Sequence, residues 1–133
     1  MKKMMDLVVP LDVAKEFKEI GVSQNDCYYY WFESGSSYGL VPAREGNLDS
    51  CYAAYTLCEL IEKLPKILIS SFHIYFLNIS TTFEGDSMEL VYEVSYKNKE
   101  VGYLVRFSDK NLMAAVINLV RWVYKKHYKK EDL

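Results

Sequence analysis

This chain has little of what would announce a chemistry. No stretch approaches the ~20 consecutive apolar residues of a membrane-spanning helix. The apolar run Leu7-Val8-Val9 behind Met1-Lys2-Lys3 is too short for the core of a secretion signal. Cysteines number three and histidines two. There is no Cys-x-x-Cys and no His-x-x-x-His, so the spacing offers no metal site, and no metal or other cofactor is expected. An odd count of cysteines without a secretion signal points to reduced thiols and a cytoplasmic protein. The six glycines are scattered, so no glycine-rich loop is available to cradle a phosphate. Formal net charge is −2, which removes a global electrostatic case for nucleic acid.

What remains is an ordinary globular composition, half apolar and 26% charged, in 133 residues. That suffices for one domain with its own core. Aromatic residues stand out: twelve tyrosines, six phenylalanines and two tryptophans. Tyrosine suits half-buried strand positions, its ring packed and its hydroxyl wet, and it is also enriched at protein interfaces.

The periodicities predict an α+β fold, a single domain over 1–133. A first helix is expected over about 11–20, with Asp12 as cap, a stripe of Val13, Ala14, Phe17 and Ile20, and Gly21 as the left-handed exit. Residues 1–9 read as a loose arm or an edge strand. A hairpin over 27–41 turns at Ser34-Gly35-Ser36-Ser37, and Arg44 to Ser50 reads as a polar loop. A second helix, about 57–64, has the fullest local grammar. Thr56 and Glu59 form a capping box, Tyr55 and Leu60 a hydrophobic staple, and Pro65 a stop. Lys66 to Ile69 reads as a turn of helix or a buried connector. Residues 73–107 alternate as a three-stranded antiparallel meander. The closing helix, about 109–128, starts at Ser108 or Asp109, and 129–133 should fray. Hairpin and meander are expected in one antiparallel sheet, with the three helices mainly on one face.

Three sets of side chains could carry function. Tyr29 and Trp31, on one side of the hairpin strand, with Tyr38 on its partner, suggest a protein contact surface. Arg121, Lys125, Lys126, Lys129 and Lys130, interleaved with Trp122, Tyr124 and Tyr128, could grip phosphates and stack bases. The same cations also complement the negative end of a helix dipole, each by ~0.3–1 kcal/mol. Cys58, in the first turn of the second helix, is the candidate nucleophile, because a helix dipole there lowers a thiol pKa. Beside a leucine stripe it reads more simply as a small hydrophobe. A nucleophile would also need His73 or another base within hydrogen-bond reach.

The segment Tyr55-Thr56-Leu57, followed by Glu59-Leu60-Ile61-Glu62-Lys63-Leu64-Pro65, resembles a pattern of small uncharacterised proteins from prophages and mobile elements of gut bacteria. In these, such a helix precedes short strands and a closing helix, here Asn111 through Trp122. The resemblance covers roughly 53–124. It departs at Ala53-Ala54, where a proline is expected nearby, and in the tyrosine-rich hairpin. It implies an accessory role and supplies no catalytic residues. The expectation is therefore a non-enzymatic protein–protein interaction module, with a homodimer as one form, no membrane partner and no catalytic residue. A nucleic-acid-binding accessory protein is the alternative, and a cysteine-dependent enzyme at Cys58 comes third.

Overall fold

The computed structural model describes residues 3–35, 37–42, 51–86 and 88–127. The fold is α+β, with three α-helices and two antiparallel sheets among the described residues. The chain divides into two compact units, Met1–Lys63 with Tyr124–Leu133, and Leu64–Val123. Hairpin and meander therefore do not share one sheet, as the sequence suggested. Each finds its own hydrogen-bonding partner: the hairpin takes a third strand from 51–53, and the meander takes a fourth from 67–70.

In the first unit, α1 (Leu11–Ile20) buries Val13, Ala14 and Phe17 and ends on Gly21 at φ +96°. Its cap is Pro10 rather than Asp12, which lies inside the first turn. Proline needs no partner for an N–H it lacks, and its fixed φ suits a helix entry. The sheet has the order β2-β1-β3, from β1 (Tyr29–Ser34), β2 (Ser37–Pro42) and β3 (Cys51–Ala53). Strand β1 lies centrally, and α1 packs against β3. Residues 3–9 are tied in. Met4–Asp6 form a 3-10 turn, Val8 bridges Thr56, and the Val9 N–H donates to the Tyr55 carbonyl at 2.9 Å.

Helix α2 (Leu57–Glu62) has the anticipated capping box. The Glu59 N–H donates to Thr56 Oγ1 at 3.4 Å, and the Thr56 N–H donates to Glu59 Oε1 at 2.9 Å. The loop expected over Arg44 to Ser50 and the tail 129–133 lie outside the described residues.

The second unit is one four-stranded sheet in the order β4-β5-β6-β7, with α3 against β6 and β7. Its strands are β4 (Ile67–Ser70), β5 (His73–Glu84), β6 (Glu89–Asn98) and β7 (Gly102–Asp109). Strand β4 replaces the expected helical turn or connector. All four of its residues pair with β5, a ladder that so short a segment could not supply alone. Helix α3 (Leu112–Trp122) starts three residues later than expected, because the Asn111 side chain accepts the Ala114 N–H. A π-helical turn, Val123–His127, follows.

Candidate functional site

In the first unit, Trp31 and Tyr38 meet edge to face, with ring centroids 5.5 Å apart and planes at 62°. They line an open groove of about 640 Å³ with Met5, Val8, Leu11 and Lys15. Trp31 itself is only 3% exposed, and its indole N–H donates to the Val9 carbonyl at 2.7 Å. The residue expected to present itself is thus enclosed, because β1 is the central strand and residues 8–9 lie over it. Tyr29 is half-buried, and Tyr38 is the exposed member of the trio. Lys15, which lines the groove, is bonded to Glu33 at 2.8 Å.

The same unit buries a cluster of acidic protons. Tyr30 donates to the Gln24 carbonyl at 2.7 Å and Tyr55 to the Asn25 carbonyl at 3.3 Å. Burial first, and then the neighbouring Cys27, push the Tyr30 phenol up to about 12. The same two causes raise Tyr55 further, and burial raises the Cys27 thiol. All three are held in their neutral forms, the opposite of what an activated nucleophile needs. Cys58 is exposed, whereas Cys27 and Cys51 are buried, and none of the three is in a disulfide.

Two of the basic residues of the closing segment, Arg121 and Lys125, have partners within the chain. Arg121 donates to Asn118 Oδ1 at 3.1 Å, and Lys125 pairs with Glu16 at 2.9 Å. Lys126 lies in the π-helical turn, and Lys129 and Lys130 lie outside the described residues. Among the described residues no three metal-ligating side chains come together, and no helix is long and apolar enough to cross a membrane.

The second sheet carries a feature that none of the sequence candidates covered. Its register places Leu68, Tyr75, Leu77, Val94, Tyr96, Val105 and Phe107 on one face. Leu68, Val94 and Tyr96 there are fully buried. The opposite face carries Ile67, Ile69, Ile74 and Phe76, paired as Ile67↔Phe76 and Ile69↔Ile74. These four are exposed, Ile69 at 66% and Phe76 at 57%. Beside them the two-residue turn Ser71-Phe72 joins β4 to β5, with φ +49° and +66°. Positive φ at both central residues is the geometry that favours Asn-Gly in hairpins. A phenylalanine there is strained, and Phe72 is fully exposed at 101%.

Farther along β6 the same face is buried at Val91, Glu93 and Ser95, and a polar cluster occupies it. Glu93 is buried, accepts the Tyr103 hydroxyl at 3.1 Å and faces Arg106 at 3.7 Å. Arg106 and Lys97 both lie over the Tyr103 ring, at 4.7 and 5.2 Å from its centroid. The apolar patch therefore has a defined boundary on the sheet.

The signal for this surface was present in β5. Apolar residues occupy both alternating sets, Tyr75/Leu77/Ile79 and Ile74/Phe76, and a strand apolar on both faces is one that gets covered on both. No family model, curated protein or solved structure matches the chain.

Proposed function

We propose that the chain is a non-catalytic accessory module that binds a protein, and that the exposed apolar corner formed by β4 and the start of β5 is its contact surface. The observation that carries this reading is the cluster Ile67, Ile69, Ile74 and Phe76 with Phe72 at its edge, all exposed. Contiguous apolar exposure bounded by polar groups marks interaction sites in soluble proteins. The strained Phe72 adds to it, since backbone strain at an exposed aromatic gives the isolated chain no benefit. A cytoplasmic setting accompanies this reading, supported by three cysteines that form no disulfide, two of them buried.

The test is a photo-crosslinking amino acid at position 69, with position 23 as an exposed control in the first unit. Irradiation in the chain's native cells should give a covalent protein adduct of discrete mass from position 69 and none from position 23. No adduct from position 69 in a folded, expressed protein would remove this surface from consideration.

A further inference from the structure

We infer that the outer edge of β7 takes up an extended peptide segment as a further strand, and that a pocket beside this edge receives one basic side chain of it. This site lies at the opposite edge of the sheet from the corner formed by β4 and β5, and it does not depend on that corner.

The hydrogen-bonding directions of the second sheet fix which main-chain groups face outward. The Leu77 N–H donates to the Lys66 carbonyl at 2.9 Å, so Leu77 points toward β4. Successive residues of a strand point their main-chain groups to opposite sides. Phe76 and Asn78 therefore point toward β6, where they pair with Lys97 and Ser95. Val94 and Tyr96 then point toward β7 and pair with Phe107 and Val105. The N–H and C=O of Arg106 and Ser108, which alternate with these, point away from the sheet, because β7 is last in the strand order. Among the described residues nothing bonds to these four groups. Two donors and two acceptors at strand spacing are what an added backbone completes.

Arg106 and Ser108 also line a pocket of about 200 Å³, together with Thr82, Glu84, Val91 and Glu93. That volume is small for a metabolite and suits a single side chain. Glu93 is 6% exposed. Its Oε2 accepts the Tyr103 hydroxyl at 3.1 Å, whereas Oε1 faces only the Arg106 guanidinium at 3.7 Å, beyond hydrogen-bond length. A buried carboxylate oxygen without a donor is costly, and a donor entering the pocket removes that cost. Two carboxylates and one guanidinium line the pocket, so the favoured entrant is cationic. A residue paired with Ser108 projects on the Glu93 face, since Glu93 and Ser108 are themselves cross-strand partners. Two strand spacings, about 10 Å, separate it from β6, a gap that a lysine or arginine closes from one side and Glu93 from the other. The ligand class is thus an extended segment carrying a lysine or arginine at that position.

The test uses the full chain and a capped heptapeptide, with threonine at its odd positions and valine, arginine and valine at its even ones. Calorimetric titration should show saturable binding, and the Arg106 and Ser108 amides should gain protection from hydrogen exchange. Replacing the peptide's arginine by glutamine should weaken binding about tenfold or more, as should Glu93→Gln in the chain, each removing a charge-assisted bond. Ser108→Pro removes an outward N–H that the fold does not use, which an edge strand tolerates, and it should abolish binding. Circular dichroism confirms the fold of both variants, and Glu100→Gln, on the turn between β6 and β7, should leave affinity unchanged. No binding at millimolar peptide, equal affinity for the arginine and glutamine peptides, or binding without protection at Arg106 and Ser108 overturns the inference. The peptide comparison decides even where a variant fails to fold. A protein crosslinked from position 69 would stand through any of these results, because it reports on the other edge.

Discussion

The backbone N–H of Tyr28 donates to the Glu59 carboxylate at 2.9 Å, across 31 residues of sequence. The other carboxylate oxygen of Glu59 accepts both the N–H and the hydroxyl of Thr56, at 2.9 and 3.0 Å. One side chain thus caps α2 and fixes the entry to β1. Glu59→Ala should cost about 2 kcal/mol, a lost cap plus a lost charge-assisted bond. Glu62→Ala, at an exposed site on the same helix, should change stability by less than about 0.5 kcal/mol. Urea denaturation of the two variants checks the contrast.

Trp31→Phe keeps the apolar bulk of the ring and removes its N–H. The Val9 carbonyl then loses its partner in a buried position, which should cost about 2 kcal/mol. Tyr38→Ala loses an exposed ring and an edge-to-face contact, and should cost no more than about 1 kcal/mol. The order of the two urea midpoints reads out which ring is structural.

Thiol labelling should separate the three cysteines. Cys58 should react rapidly in the folded protein, while Cys27 and Cys51 wait for unfolding. One label per native chain and three in urea is the expected count. Fast labelling of Cys27 would contradict its burial and its raised pKa.

Alkaline pH should destabilise the first unit. Tyr30, Tyr55 and Tyr124 all have phenols raised above 10.0, and Cys27 has a thiol raised above 9.0. A raised folded pKa means the folded state keeps a proton that the unfolded chain releases. This stabilisation is complete below pH 9.0 and falls as pH climbs through the ordinary values toward the folded ones. Melting temperature measured against pH should therefore stay level near neutrality and drop above that point, together with a late, cooperative rise in tyrosinate absorbance.

Phe72→Gly should make the isolated chain more stable by about 1 kcal/mol, because glycine accepts a positive φ without the Cβ clash. A gain in stability alongside a loss of crosslinking from position 69 would show a stability–function trade at one residue.

Local grammar was the most legible part of this chain. The capping box of α2, Gly21 at the end of α1 and the meander are all fixed by near neighbours, so their signals lie within a few residues. The assignments that missed depended on distant partners. Strand β4 exists because β5 accepts it, and β3 because β1 does. Neither three- nor four-residue segment carries a period of its own. Trp31 shows the same limit at the level of a site: alternation assigned its side of the strand, while its burial depends on residues 8–9 lying over that side. The apolar face of β4 and β5 was half legible, since Ile74 and Phe76 were visible as a second stripe, but their exposure was not.

The Tyr124 hydroxyl donates to the Lys63 carbonyl at 3.3 Å, and these two residues flank the second unit in sequence. During synthesis this contact is among the last to become available. The segment 64–123 is continuous and joined by tight turns, so it can assemble as it leaves the ribosome. The first unit, whose strands lie in residues 29–53, waits only for its closing segment until Tyr124 emerges. A nascent chain stalled shortly before that residue would hold the strands of both sheets while its first unit still lacked the phenol that reaches Lys63, and it is in that interval that chaperones would have most to hold.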